Sequence, residues 1–213
     1  MWADETVFIL GGGPSIKDVD FELIRNHRVI AVNHAVSLGS WVDVVWFGDK
    51  NWGVENRELL LNFGGLKVTC STESQVHRRI PAVKYVARSK SYGIEYKRRT
   101  HIAWNGNSGA SAVNLAYWLG ASTVALLGFE MKIVEVEGKQ KTHWHDKYQE
   151  KRDKKKQLVN PYPRFMKGWL PIFDDANKIG LKIVNCTPGS DLTMFPYKPL
   201  EKLCQEISPL QLT

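Results

Sequence analysis

Phe8-Ile9-Leu10-Gly11-Gly12-Gly13-Pro14-Ser15 decides how this chain folds. An apolar run stops abruptly at three glycines, a proline and a serine. The run reads as a buried strand, and the residues after it as a tight turn into a helix. Glycine lets backbone amides approach a ligand with no side chain in the way. A helix start adds N–H groups without intrahelical partners and a partial positive charge, a combination that suits a phosphate. Gly11, Gly12, Gly13, Pro14 and Ser15 are therefore the first candidate nucleotide-binding residues. The spacing departs from the two commonest phosphate loops. Ile16 stands where a dinucleotide-binding fingerprint has its last glycine, and Lys17 has neither the glycine before it nor the hydroxyl after it of a P-loop. The plain alternative is a strand-to-turn connection that holds nothing.

Outward from this loop, short apolar runs at 7–10, 29–32, 42–47, 66–69, 83–86, 123–127 and 181–185 are predicted strands. Segments 16–25, 56–62, 110–119, 169–179 and 199–207 are predicted helices. Ser15, with Asp18 three residues on, is the expected cap of the first helix. Ser108 and Gly120 are the expected ends of the helix on which Ala112, Leu115, Ala116 and Leu119 recur. The alternation predicts an α/β fold: a Rossmann-like, mostly parallel sheet flanked by helices, in a single domain over 1–213. Residues 132–168 turn polar and basic and are expected to form a lid-like insertion.

Polar residues follow the predicted strands directly: Ser15, Asn33, Asp49, Glu130 and the pair Thr187 and Ser190. A parallel sheet brings such positions to one edge, where open α/β folds bind ligands. Asn33 and Asp49 have the chemistry to bond a ribose, a base or a phosphate-bound ion, and equally to cap a turn. Asn107, Ser108 and Gly109 form a second small-residue loop at a helix start, and Gly128 precedes Glu130 after the strand at 123–127. His143 and His145 flank Trp144, so in an extended segment their rings face one way. Each is a candidate general base near neutral pH. The pair also has a metal-ligand spacing, but no third ligand is evident and no metal site is assigned; the bland reading is a solvated loop. Trp41, Trp46 and Trp52 cluster around Asp49; Trp41, Trp46 and Trp118 are read as core. A nucleophile elbow is missing from the sequence, which disfavours hydrolase chemistry.

The chain has 213 residues and a formal net charge of +7. No apolar run approaches the ~20 residues that span a bilayer. The start, Met1-Trp2-Ala3-Asp4-Glu5, lacks the features of a signal peptide. Three scattered cysteines, Cys70, Cys186 and Cys204, fit a reducing compartment, and a cytoplasmic location is expected. The excess charge sits in two patches. Lys84 to Arg99 carries six Lys/Arg against one Glu, and Lys147 to Lys156 six against two acids. Such patches bind phosphates or nucleic acid, or are merely solvated faces.

Taken together, Gly11-Gly12-Gly13-Pro14-Ser15 and Ile30-Ala31-Val32-Asn33 resemble the opening block of the MptE-like domain family. Asn107-Ser108-Gly109-Ala110, Leu119-Gly120-Ala121 and Leu126-Leu127-Gly128-Phe129-Glu130 resemble its second block, and both blocks also occur in bacterial lipooligosaccharide sialyltransferases. The tail Val184-Asn185-Cys186-Thr187-Pro188-Gly189-Ser190 with Phe195-Pro196 resembles compact members from phage genomes. In three places the chain departs from the pattern: Gly13 stands for a common asparagine, Glu130 for the usual aspartate, and the lid is shorter and lysine-rich.

The resemblance implies a glycosyltransferase using a nucleotide-activated donor of the CMP-sugar type, with no cofactor. Gly13, Ser15 and Asn33 would line the nucleotide pocket, Ser108 and Gly109 would face the donor, and Gly128 and Glu130 would border the ribose or base. His143 or His145 would be the base. Archaeal members imply a different reaction, an ATP- and magnesium-dependent pterin pyrophosphokinase, with Asp49 and Glu130 as metal ligands. A third reading is a non-catalytic nucleotide- or nucleic-acid-binding protein using the two basic patches. The oligomeric state is not indicated.

Overall fold

The computed structural model describes residues 2–71, 76, 79–145 and 160–207. Its centre is a parallel seven-stranded sheet ordered β11-β8-β1-β2-β3-β4-β5. The strands are β1 (Thr6–Leu10), β2 (Arg28–Val32), β3 (Val44–Phe47), β4 (Leu66–Thr69), β5 (Val83–Tyr85), β8 (Thr123–Leu127) and β11 (Lys182–Asn185). Outside this sheet, β6 (Ala87–Ser89) pairs in parallel with β7 (His101–Ala103), and β9 (Val134–Val136) with β10 (Lys139–Lys141) as a hairpin. The helices are α1 (Lys50–Glu55), α2 (Arg57–Asn62), α3 (Ser108–Leu119), α4 (Tyr162–Met166), α5 (Trp169–Ile179) and α6 (Leu200–Glu206). Among the described residues no helix is long and apolar enough to cross a membrane.

Successive residues of a strand face opposite sides, and a sheet covered on both faces therefore needs apolar residues at nearly every position. β1 meets that demand: Val7 and Ile9 join the core under α3 and α5, while Phe8 and Leu10 join the core with Leu60, Leu200 and Leu203. α3 is anchored from within. The Trp46 indole N–H on β3 reaches the Ser108 carbonyl and the Ser111 hydroxyl, each at 3.0 Å. Asn114, fully buried on the same helix, accepts from the Glu95 N–H at 2.8 Å and the Ala103 N–H at 2.9 Å. One amide thus holds β7 and the loop before it on α3.

Two local expectations are corrected. The segment 16–25 is not a helix but two 3-10 turns, Pro14–Asp18 and Phe21–Leu23, with Gly13 and not Ser15 at the start of the first. Asp20 breaks the run by accepting the Glu22 N–H. The second helix start is capped by Asn107, whose Oδ1 accepts the Ala110 N–H at 2.7 Å, and Ser108 is already helical. Gly120 ends that helix as expected, with φ of +110°. Smaller shifts of boundary occur at β3, β5, β11 and α6. Trp46 is fully buried as expected, whereas Trp41 and Trp118 are partly exposed.

Asn114→Ala leaves two buried N–H groups without an acceptor, each worth about 1–3 kcal/mol. Urea denaturation is expected to show a loss of about 2–6 kcal/mol, with the m-value unchanged.

Candidate functional site

From β1 the chain steps outward through β2, β3, β4 and β5, then returns on the other side of β1 as β8. Strand order reverses there, and a crevice opens between the loops that follow β1 and β8. Three backbone N–H groups of the glycine loop close onto the second loop. Gly11 donates to the Leu127 carbonyl at 2.7 Å, Gly13 to the Gly128 carbonyl at 2.9 Å, and Ser15 to Glu130 Oε1 at 2.6 Å. A Cβ on Gly13 would overlap the Glu130 carboxylate, so this glycine is required by close approach. Thr187 and Ser190, expected near a ligand, brace this turn instead. The Thr187 hydroxyl accepts the Phe129 N–H at 2.9 Å, and the Ser190 hydroxyl donates to the Phe129 carbonyl at 2.5 Å.

A cavity of about 740 Å³ lies over this junction. Most of the residues singled out in sequence line it: Gly11, Gly12, Gly13, Asn33, Asp49, Asn107, Ser108, Gly109, Gly128, Glu130, His143 and His145. Pro14 and Ser15 do not; they stand behind the wall, and the Ser15 N–H expected to meet a phosphate meets a carboxylate. Glu130 is 4% exposed, and its Oε2, like Asn33 Oδ1, is buried with no hydrogen-bond partner among the described residues. Asn33 takes the left-handed conformation, φ 54°, which asparagine tolerates.

Asp49 is already engaged. Its Oδ1 accepts the Asn51 N–H at 2.7 Å and the Trp52 N–H at 3.2 Å, starting α1. Of the carboxylates a magnesium-dependent reaction would draw on, Asp49 therefore holds two backbone N–H groups and Glu130 one. Among the described residues no group of three or more His, Cys, Asp or Glu is placed to hold a metal ion.

Both histidines of the 132–145 segment reach the cavity. The segment is tied to the glycine loop by the Trp144 N–H on the Gly12 carbonyl at 3.0 Å, and to α4 by the Tyr162 hydroxyl on the Thr142 carbonyl at 2.9 Å. Gly12 leaves room for the His143 ring, whose Cδ2 would lie 3.0 Å from an added Cβ. His143 Nδ1 and the Thr142 hydroxyl are 2.9 Å apart. The rings of His143 and His145 face the same space, centroids 5.6 Å apart, as their alternation predicts.

Sequence reading missed His34, Trp104, Tyr162 and Arg164 on the wall. His34 follows Asn33 directly, and its place after a strand was a usable signal. Arg164 brings a permanent positive charge. Trp104 is set by Arg88, whose guanidinium stacks 4.4 Å from the ring and donates to the Gly48 and Cys70 carbonyls. The Lys84–Arg99 patch is thus divided. Arg88 supports the wall, Arg98 pairs with Glu95 at 2.6 Å, and Lys84, Lys90, Lys97 and Arg99 are exposed. The Lys147–Lys156 patch lies outside the described residues. All three cysteines are free thiols; burial pushes Cys70 and Cys204 up and Cys186 up to about 12, so none is a ready thiolate.

The fold is shared with solved sialyltransferases of Campylobacter jejuni. The sialyltransferase CstII, in complex with a substrate analogue, cytidine-5'-monophosphate, aligns with a TM-score of 0.58 at 14% identity, over 93% of this chain and 86% of that one. The monofunctional alpha-2,3-sialyltransferase Cst-I aligns with a TM-score of 0.58 at 17% identity, over 99% and 83%. The N51A variant of CstII in complex with CMP aligns with a TM-score of 0.54 at 14% identity, over 92% and 87%. No family model matches the chain, and no curated protein matches it in sequence. At these identities the likeness is one of fold.

Asp49→Ala removes the α1 cap and is expected to cost about 1 kcal/mol, and Asp49→Ser, which restores a capping oxygen, to recover most of it. Thermal denaturation of the two variants checks this; equal loss in both would show that the carboxylate does more than cap.

Proposed function

We propose that this chain transfers a sugar from a nucleotide-activated donor, of the CMP-sugar type, to an acceptor hydroxyl. The carrying observation is the placement of two histidines over a glycine loop at the switch point of a parallel sheet, in a cavity of about 740 Å³. Pockets for small ligands run about 300–1,000 Å³. The sialyltransferases that share the fold include structures solved with CMP, which supports the donor class.

The charge layout orients the donor. Glu130 places a carboxylate behind the glycine loop, so that end of the cavity suits hydroxyl or N–H donors of the nucleoside rather than the phosphate. Glu130 Oε2 and Asn33 Oδ1 are buried acceptors on wall residues, and a ligand hydroxyl that reaches either meets no competing partner among the described residues. The phosphate belongs at the other side, at the N-terminus of α3 with Asn107, Ser108 and Gly109, and near Arg164.

His143 or His145 takes the proton of the acceptor hydroxyl as the acceptor oxygen bonds to the anomeric carbon. The bond from that carbon to the phosphate oxygen breaks with its electron pair, and the leaving phosphate is stabilised by the α3 N–H groups and Arg164. The described part of the expected lid, residues 132–145 and 160–168, carries the base; residues 146–159 of that segment lie outside the described residues. The reaction draws on no metal, and the nucleotide-sugar is its donor substrate.

With water as the acceptor, CMP release from a CMP-sugar is expected with the wild-type protein. It should fall by about 100-fold or more when His143 and His145 are both changed to Ala. Full CMP release by the double variant would sink the base assignment. Absence of both release and nucleotide binding would sink the transfer reaction.

A further inference from the structure

His34 lies on the cavity wall, outside the lid, with 7% exposure. Its Nδ1 sits 2.7 Å from the Trp52 indole nitrogen, in a buried hydrogen bond. An indole N–H can only donate. Nδ1 is therefore the acceptor and carries no proton, and the proton of the neutral ring is on Nε2. A second proton would have to enter at Nδ1. It would break this bond and set two buried donors against each other. Trp52 is itself fixed, because Asp49 caps the helix turn that carries it and its ring packs on Phe47 at 5.3 Å.

The partner of this clamped ring is His145. The two rings lie 4.5 Å apart between centroids, tilted by 41°. Among the described residues, the titratable or charged groups on the elements that meet His34 are His143 and His145 on the lid side, Asp49, Lys50 and Glu55 at α1, and Arg28 at the start of β2. β3 brings only Val44, Val45, Trp46 and Phe47.

We propose that His34 is a positioning residue of this site: the Trp52 indole clamps it as an uncharged Nε2–H imidazole. Its ring braces His145 in the cavity, so that His145 can gain or lose a proton without a second cation beside it. The bracing of a proton-transferring His145 rests on the proposed transfer reaction; the clamp itself does not. Sequence gives no sign of it, since Trp52 and His34 are joined only by the packing of α1 beneath the turn after β2.

The test is nitrogen–proton correlation NMR of the histidine rings from pH 8 to 5, in the wild-type protein and in Trp52→Phe. In the wild type, His34 is expected to keep the neutral Nε2–H pattern through pH 5, about 1.5 units below the ordinary midpoint of ~6.5. In Trp52→Phe, His34 should become protonated within this pH range, and the His145 midpoint should fall as a cation appears beside it. An imidazolium or an Nδ1–H tautomer of His34 at pH 6 in the wild type overturns the clamp, whether or not Trp52→Phe folds. A folded Trp52→Phe with both midpoints unmoved overturns the bracing. A titrating His34 in a protein that releases CMP leaves the transfer reaction standing and removes the clamp, and a neutral His34 in a protein that releases none does the reverse.

Discussion

The hydrogen bond from the Ser15 N–H to the Glu130 carboxylate, 2.6 Å long and largely buried, sets the character of this site. It is a charge-assisted bond of the stronger kind. It ties the loop after β1 to the loop after β8 at the point where the sheet reverses its order. It requires the bare backbone of Gly13 and a firm turn at Phe129, which Thr187 and Ser190 hold from behind. It also gives the glycine loop a sign opposite to that of an ordinary phosphate cradle. The N-terminus of α3 and Arg164 lie on the same cavity and supply the opposite sign.

The lid side of the cavity is built by a different logic. His143 and His145 come from a segment that the sheet does not dictate, and that segment is located by two hydrogen bonds: the Trp144 N–H to the Gly12 carbonyl, and the Tyr162 hydroxyl to the Thr142 carbonyl. The same glycine loop therefore serves two neighbours, a carboxylate below and an imidazole above. Asp49 works at one remove, through the α1 turn that presents Trp52 to His34. Residues around the cavity are thus mostly occupied with one another.

The sheet was legible because its central strands β1, β2, β3 and β8 are apolar at almost every position and punctuated by glycine or a polar residue, as buried parallel strands must be. The convergence of Asn33, Asp49 and Glu130 was legible for the same reason, since a parallel sheet leaves no other place for residues that follow its strands. What sequence could not give was each polar group's partner. Ser15 looked like a cap because serine before an apolar run often is one; the turn starts at Gly13 instead, the Ser15 hydroxyl is buried with no hydrogen-bond partner among the described residues, and the Ser15 N–H meets a carboxylate 115 residues away. The helix expected at 16–25 fails because Asp20 offers the chain a local side-chain acceptor, which favours turns over a continuous helix. Tyr162 and Arg164 reach the wall from a segment with no strand or glycine signal, and only tertiary packing delivers them; Trp104 stands just before Asn105-Gly106 and after β7, a strand too short to be read from sequence.

The most direct test of the account is a crystal structure of the protein grown with CMP. The account predicts the nucleotide in the cavity between Gly11–Gly13 and α3, with ribose or base toward Glu130 and Asn33 and the phosphate toward Ser108, Gly109 and Arg164. CMP bound with its phosphate against the Ser15 N–H and Glu130 displaced, or bound outside this cavity, would contradict it.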